Sequence, residues 1–107
     1  MATFELYTDK AGQHRFRLKA DNGQIILAGE GYGRRSSARN GIASVRRNAS
    51  DDHRFERKHT RSGWSFNLKA ANGQVIGTSE VYDSEPAREN GIASVKKAAA
   101  KAGMKEL

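Results

Sequence analysis

Two Glu-x-Tyr pairs, Glu30 with Tyr32 and Glu80 with Tyr82, could do acid–base chemistry. Two carboxylates related by a twofold axis can divide the acid and base roles if both reach one substrate. The structural reading of the same residues is simpler. Each Glu bonds backbone or a basic neighbour, and each Tyr packs its ring and satisfies its hydroxyl. The histidines, His14, His53 and His59, have no His-x-x-x-His spacing and no carboxylate at helical spacing. Asp51-Asp52-His53 reads as a solvated link rather than a metal-ligand set. Cysteine is absent, which removes disulfides, thiolate catalysis and cysteine-ligated metals together. No Gly-rich phosphate loop, nucleophile elbow or dinucleotide fingerprint is present. Enzyme activity is unsupported, and no catalytic, cofactor-binding or metal residue is assigned.

A second set of residues points to contact instead. The hexapeptide Asn-Gly-Ile-Ala-Ser-Val occurs at 40–45 and again at 90–95. At helical spacing, Asn40, Ser44 and Arg47 share a face opposite the apolar stripe, and Asn90, Ser94 and Lys97 repeat that face. Core packing does not explain identical polar residues turned outward, so these six form a candidate contact surface for a protein partner or for self-association. Gly41 and Gly91 each cost a helix interior about 1 kcal/mol relative to Ala, and the expected reason is close approach of another backbone.

The third set is charge. The formal net charge is +7 and the pI is near 10.1. Arg15, Arg17 and Lys19 point off one sheet face; Arg34, Arg35, Arg39, Arg46 and Arg47 gather on and before the first helix. Arg15, Arg17, Lys19, Arg39 and Arg46 are candidate polyanion contacts, able to neutralise phosphates without reading sequence. Nucleic acid is therefore a candidate partner. Outward aromatics are scarce, however. Tyr7 is the one good candidate for a stacking platform, and no RRM, KH or helix-turn-helix signature appears.

The elements that must position these residues follow from the repeat. Residues 3–8 alternate as a strand, and 15–20 alternate with Phe16, Leu18 and Ala20 inward. Asn22-Gly23 predicts a type I′ hairpin turn. A third strand spans 24–30, where Ile25, Ile26 and Leu27 leave the buried face open. Ser36 or Ser37 is the predicted cap of a helix that runs to Asn48, with Ala38, Ile42, Val45 and Ala49 facing the sheet. The second copy repeats this plan. Its first strand, 54–58, is polar enough to be an edge. Trp64, Phe66 and Leu68 form the inward row of the next strand, and Asn72-Gly73 turns its hairpin. Pro86 stands at the start of a helix whose stripe is Ile92, Val95, Ala99 and Ala102. Gly103 ends that helix, and the tail beyond it reads as loose.

With 107 residues, the chain is expected to be one domain, made of repeat 1 (1–50) and repeat 2 (51–107). About 50 residues alone would bury little apolar surface, so the halves should fold together. The expected class is α+β: two tandem β-β-β-α repeats with pseudo-twofold symmetry, antiparallel strands, and helices packed on the sheet. One continuous sheet or two small ones would both satisfy it. No apolar run approaches a membrane span and no secretory leader is visible, so the cytoplasm is the expected location and a membrane is not an expected partner.

On the Phe-Glu that opens each copy, Phe16-Arg17-Leu18-Lys19-Ala20, Asn22-Gly23, Glu30-x-Tyr32 and the doubled Asn-Gly-Ile-Ala-Ser-Val, the chain resembles the YegP-like family of small bacterial proteins. That resemblance covers nearly the whole chain. It implies tandem β-β-β-α units joined in one compact body, in some members with a strand exchanged between units. It implies no activity, cofactor or site residue. Two departures, the polar first strand of copy two and Gly77 in place of Leu27, bear on the symmetry of the assembly.

Overall fold

The computed structural model describes all residues from 1 to 107. Its elements are β1 (Thr3–Thr8), β2 (His14–Lys19), β3 (Ile25–Ala28), α1 (Arg35–Asn48), a 3-10 turn (Asp52–Arg54), β4 (Phe55–Thr60), β5 (Gly63–Lys69), β6 (Val75–Thr78), α2 (Glu85–Lys101) and β7 (Gly103–Glu106). All seven strands lie in one sheet, ordered β4-β5-β6-β3-β2-β1-β7. The α+β plan of two β-β-β-α repeats holds, and the choice between one sheet and two is resolved in favour of one. Its polar strand β4 is indeed an edge.

The seam between the copies is short. β3 and β6 run antiparallel, with Ala28 opposite Thr78. Both helices bridge this seam: α1 packs on β2 of its own copy and β6 of the other, and α2 packs on β5 and on β2 and β3. A single apolar cluster results, drawing Phe4, Phe16, Leu18, Ile42 and Val45 from copy one and Phe66, Leu68, Ile92 and Val95 from copy two. At roughly 1.5–3 kcal/mol per fully buried large side chain, this shared burial is the main source of stability.

A bulge resolves the ambiguous third strand. Leu18 pairs with Leu27 but Lys19 pairs with Ile25, so Ile26 is an extra residue. The bulge lets neighbours Ile26 and Leu27 both be buried while Ile25 stays exposed. Copy two has the same shift, with Gly77 opposite Leu68. Gly77 is where the copies must differ in size. A Cβ there would lie 2.7 Å from a Leu27 methyl. Leu27 fills the space beside the seam from one side only, so the symmetric alternative, Leu at both positions, has no room.

Three expectations are corrected. Asn22 does not adopt positive φ; Gly23 alone does, at 83°. The Gly23 N–H donates to Ala20 O and the Asn22 side chain accepts from the Gln24 N–H, so the loop is a three-residue turn ending in a left-handed glycine, not a type I′ turn. Neither Ser36 nor Ser37 caps α1. Arg34 is the N-cap and supplies no side-chain bond, while Ser84 caps α2 through the Ala87 N–H at 3.2 Å. The backbone of Tyr32 is paired with that of His14 in both directions, which fixes where the chain turns into the helix and leaves the serines two and three residues past the cap. Gly103 does not end the helix into a loose tail. Residues Gly103–Glu106 form β7, parallel to β1, and the Glu106 carboxylate accepts from Arg35 and Arg39 of α1.

The size match at the seam can be checked by exchange. Leu27→Gly should cost about 2–5 kcal/mol through the void it leaves, and Gly77→Leu about 1–3 through overpacking. In urea denaturation the double variant should lose less than the sum of the two, by about 1 kcal/mol or more. Strict additivity would mean that the two positions do not share the space.

Candidate functional site

The doubled hexapeptide, the Glu-x-Tyr pair and the phenylalanine of the second strand form one assembly in each copy. The Tyr32 ring lies near-parallel to Phe16, centroids 6.5 Å apart and planes 17° apart; Tyr82 and Phe66 repeat this at 6.5 Å and 6°. Each tyrosine hydroxyl reaches the glycine of the helix. A Cβ on Gly41 would lie 2.7 Å from Tyr32 Oη and 2.8 Å from Phe16 Cε2, and one on Gly91 would lie 2.7 Å from Tyr82 Cζ. The close approach at Gly41 and Gly91 is thus to a tyrosine side chain and not to another backbone. Burial raises both tyrosine pKa values, with smaller contributions from Glu30 and Glu80. The hydroxyls therefore stay protonated at neutral pH and cannot serve there as bases.

The carboxylates of those pairs do not meet. Glu30 and Glu80 each lie two residues beyond Ala28 and Thr78, which pair antiparallel, so they run away from each other. Glu80 lines a shallow groove of about 310 Å³ with Ile25, Leu27, Ala28, Thr78 and Ser79; Glu30 lines no cleft. The histidines are also apart in role. His14 lies 3.3 Å from Thr8 Oγ1, His59 stacks on Trp64 at 3.6 Å, and His53 is exposed.

The candidate contact surface faces solvent. Asn40, Arg47, Asn90, Ser94 and Lys97 are exposed and Ser44 is half-buried. Within the six, Ser44 alone has a side-chain hydrogen bond, received from Asn48 Nδ2 at 3.2 Å. Arg47 and Lys97 have no acidic partner in the chain. The candidate polyanion contacts are placed differently. Arg15 donates to Asp9 at 2.8 Å and Arg17 to Glu5 at 2.7 Å, with Lys19 3.3 Å from the same Glu5. Arg39 grips Glu106 at 2.7 Å. Arg46 lies over the Phe4 ring at 4.8 Å and donates to Ala99 O. Tyr7, the proposed stacking platform, carries the Arg17 guanidinium 4.6 Å above its ring.

Sequence reasoning passed over a polar cluster under β4. Arg88 is 5% exposed, with Nε 3.0 Å from Glu89, Nη2 3.3 Å from Glu85, Nη1 3.3 Å from Lys58 O, and its guanidinium over Trp64. Arg57 donates to Glu89 at 3.0 Å and to Asp52 at 3.1 Å, and Lys96 donates to Asp52 at 2.7 Å. Aligning the copies carries the signal: Arg57, Arg88 and Glu89 stand where copy one has Leu6, Ala38 and Arg39. In copy one that place is covered by β7. In copy two β4 is the open edge, and charge takes the place of a covering strand. The hydrogen bonds from Lys96 and then Arg57 hold the Asp52 carboxyl at about 2, well below its ordinary value.

A larger cleft, about 450 Å³, opens at the C-terminal half of α2. Met1 and Ala2, the turn Ala20-Asp21-Asn22, and Ser94, Lys97, Ala98 and Lys101 line it. It takes in two of the six candidate surface residues, Ser94 and Lys97.

Comparison with known proteins decides the family. The family model described as Domain of unknown function (DUF1508) matches twice, at residues 9–56 and 60–106. The chain belongs to this family. It is 64% identical over 56 residues to a "UPF0339 protein in ptx operon 5'region" of Stutzerimonas stutzeri, covering 52% of this chain and 50% of that one. It is 49% identical over 56 residues to the UPF0339 protein YegP of Yersinia pestis, covering 52% and 50%. The aligned stretch thus spans about half the length of these relatives. A UPF0339 protein of Treponema denticola is 52% identical over 48 residues, which are 45% of this chain but 83% of that one. Two solution structures superpose over nearly all of the chain. The yegP protein of E. coli has a TM-score of 0.92 at 46% identity, covering 98% of this chain and 91% of that one. UPF0339 protein SO3888 of Shewanella oneidensis has 0.93 at 42%, covering 99% and 91%. Both the YegP-like resemblance and the tandem α+β plan are shown by these matches. No helix is long and apolar enough to cross a membrane.

Two expectations follow from these contacts. Gly41→Ala should lower the thermal midpoint even though alanine favours helix by about 1 kcal/mol, because the added methyl meets Tyr32 and Phe16; a net loss of about 1–3 kcal/mol is expected by denaturation. Asp52 has a depressed folded pKa, so its contribution is present above its ordinary value of 3.8 and is lost as pH falls toward about 2. Asp52→Asn should therefore flatten the dependence of the thermal midpoint on pH across that window and change its slope little above it.

Proposed function

We propose that this chain is a small non-enzymatic binding module acting through the outward polar stripe repeated on its two helices: Asn40, Ser44 and Arg47 on α1, and Asn90, Ser94 and Lys97 on α2. One observation carries the reading. The two copies keep matching residues on a solvent-facing stripe, and Asn40, Arg47, Asn90 and Lys97 find no hydrogen-bonding or acidic partner within the chain. The Phe–Tyr–Gly assembly explains the glycine of the hexapeptide by packing, and Ile and Val by burial. It leaves the Asn of both copies and the Ser of copy two without a structural reason. A free amide, a hydroxyl and a cation at successive turns suit the polar rim of a protein interface, so the partner is a protein or a second copy of this chain. A chain without cysteine suits a reducing compartment, and we propose the cytoplasm as its location.

The test separates fold from contact. Asn40→Ala with Asn90→Ala should change stability by no more than about 0.5 kcal/mol, as for exposed positions with no internal bonds. Adding Arg47→Glu and Lys97→Glu should abolish either self-association in sedimentation or capture of a discrete protein from an extract of the source cells. Unfolding of the double alanine variant would make the asparagines structural. Unchanged association and capture in the folded quadruple variant would remove the stripe as the contact surface.

A further inference from the structure

We propose that the cleft at the C-terminal half of α2 binds a small organic carboxylate with an apolar body. The inference rests on reading the helix stripe as a binding surface, and places a ligand site at one end of it. The cleft's volume of about 450 Å³ falls within the range of ligand pockets. Its floor is apolar: Ala2 and Ala98 are buried and Ala20 is half-buried. Lys97 and Lys101 stand on the helical wall, four residues apart and therefore on one face. Neither has an acidic partner within the chain. Asp21, on the facing turn, is the one acid in the lining, and its carboxylate lies 3.7 Å from the Met1 ammonium. Lys97 and Lys101 are thus the free cations to which an anionic head is drawn, while an aliphatic body covers the alanines.

The duplication supplies an internal control. Ser94, Lys97, Ala98 and Lys101 correspond to Ser44, Arg47, Asn48 and Asp51. In copy one the Asn48 amide folds back to Ser44 O at 2.8 Å, and Asp51 caps the 3-10 turn through the His53 N–H at 3.0 Å. The two concavities of the molecule are the cleft and the shallow groove, so none opens at the matching place on α1. An alanine and a second free cation, where copy one has a self-bonded amide and an acid, mark the copy-two position as a recess for an anion with apolar bulk. A polyanion fits less well, because the alanine floor offers a second negative charge no partner.

The experiment is a set of amide proton–nitrogen correlation spectra of the whole chain, titrated with hexanoate, with hexanamide as the uncharged analogue, and with acetate as the head without a body. Hexanoate should shift the amides of Ala20–Gly23 and Ser94–Lys101 saturably. Hexanamide and acetate should each bind roughly tenfold more weakly or worse. Lys97→Ala with Lys101→Ala should weaken hexanoate by about tenfold and leave the remaining spectrum in place. Arg61→Ala, in the β4–β5 turn and away from both stripe and cleft, should leave hexanoate binding unchanged. No saturable shift, saturable shifts elsewhere on the molecule, equal binding of hexanamide, or full binding by the lysine double variant would each overturn the proposal. If those results come with partner capture still dependent on the stripe, the cleft proposal alone falls; if capture fails as well, the stripe falls with it.

Discussion

Everything in this fold depends on the short seam between β3 and β6. Each repeat alone offers three strands and a helix, with about half the apolar surface that a stable domain needs. The Ala28–Thr78 pairing makes one sheet of the two, and each helix then covers strands of both copies. Because the seam lies at the pseudo-twofold axis, a residue beside it meets its own counterpart from the other copy. Two leucines cannot share that space, and Leu27 against Gly77 is the solution. Broken symmetry at the centre is what allows near-symmetry elsewhere.

The repeat made much of this legible. Hydrophobic alternation placed most of the strands, the apolar stripes of both helices are buried as their spacing implied, and the polarity of residues 54–58 marked an edge. What was not legible depended on contacts between distant segments. Nothing local in Gly103–Glu106 specifies a strand. It is one because β1 offers a free edge and because Arg35 and Arg39 wait for Glu106. The true cap of α1 was legible only by alignment, since Ser84 falls on Arg34 while the nearby serines attract attention. Gly41 looked like a site of backbone approach because its neighbour, Tyr32, is nine residues away in sequence and reaches it through the turn.

For the surface residues, sequence gave types and the structure gave availability. Arg15, Arg17, Lys19 and Arg39 are all cations in the sequence, and each faces an acid of the same chain. Exposed ion pairs of this kind stabilise little, about 0–1 kcal/mol each, but they lower the local positive field that a formal charge of +7 suggests. Net charge describes the whole molecule, whereas a polyanion meets the field of one face. Arg47, Lys97 and Lys101, by contrast, face no acid of the chain, a difference that the sequence does not show.

The two copies diverge mainly where their surroundings differ. β1 is covered by β7, so copy one keeps Leu6 and Ala38 beneath it; β4 is uncovered, so copy two carries Arg57 and Arg88 at those places and satisfies them with Glu89, Glu85 and Asp52. An uncovered apolar strand would invite another chain to pair with it, and a buried arginine with full partners closes that edge. The opposite divergence occurs at the far end of the helices. There copy one folds Asn48 back on its own helix and ties Asp51 into the link, while copy two leaves Ser94, Lys97 and Lys101 open around an apolar recess. Divergence that closes an edge is explained by the risk of aggregation. Divergence that opens a recess has no such explanation: exposed lysines without acidic partners cost little, and the last turn of a helix favours cations, so stability neither requires nor forbids the recess at this end of α2.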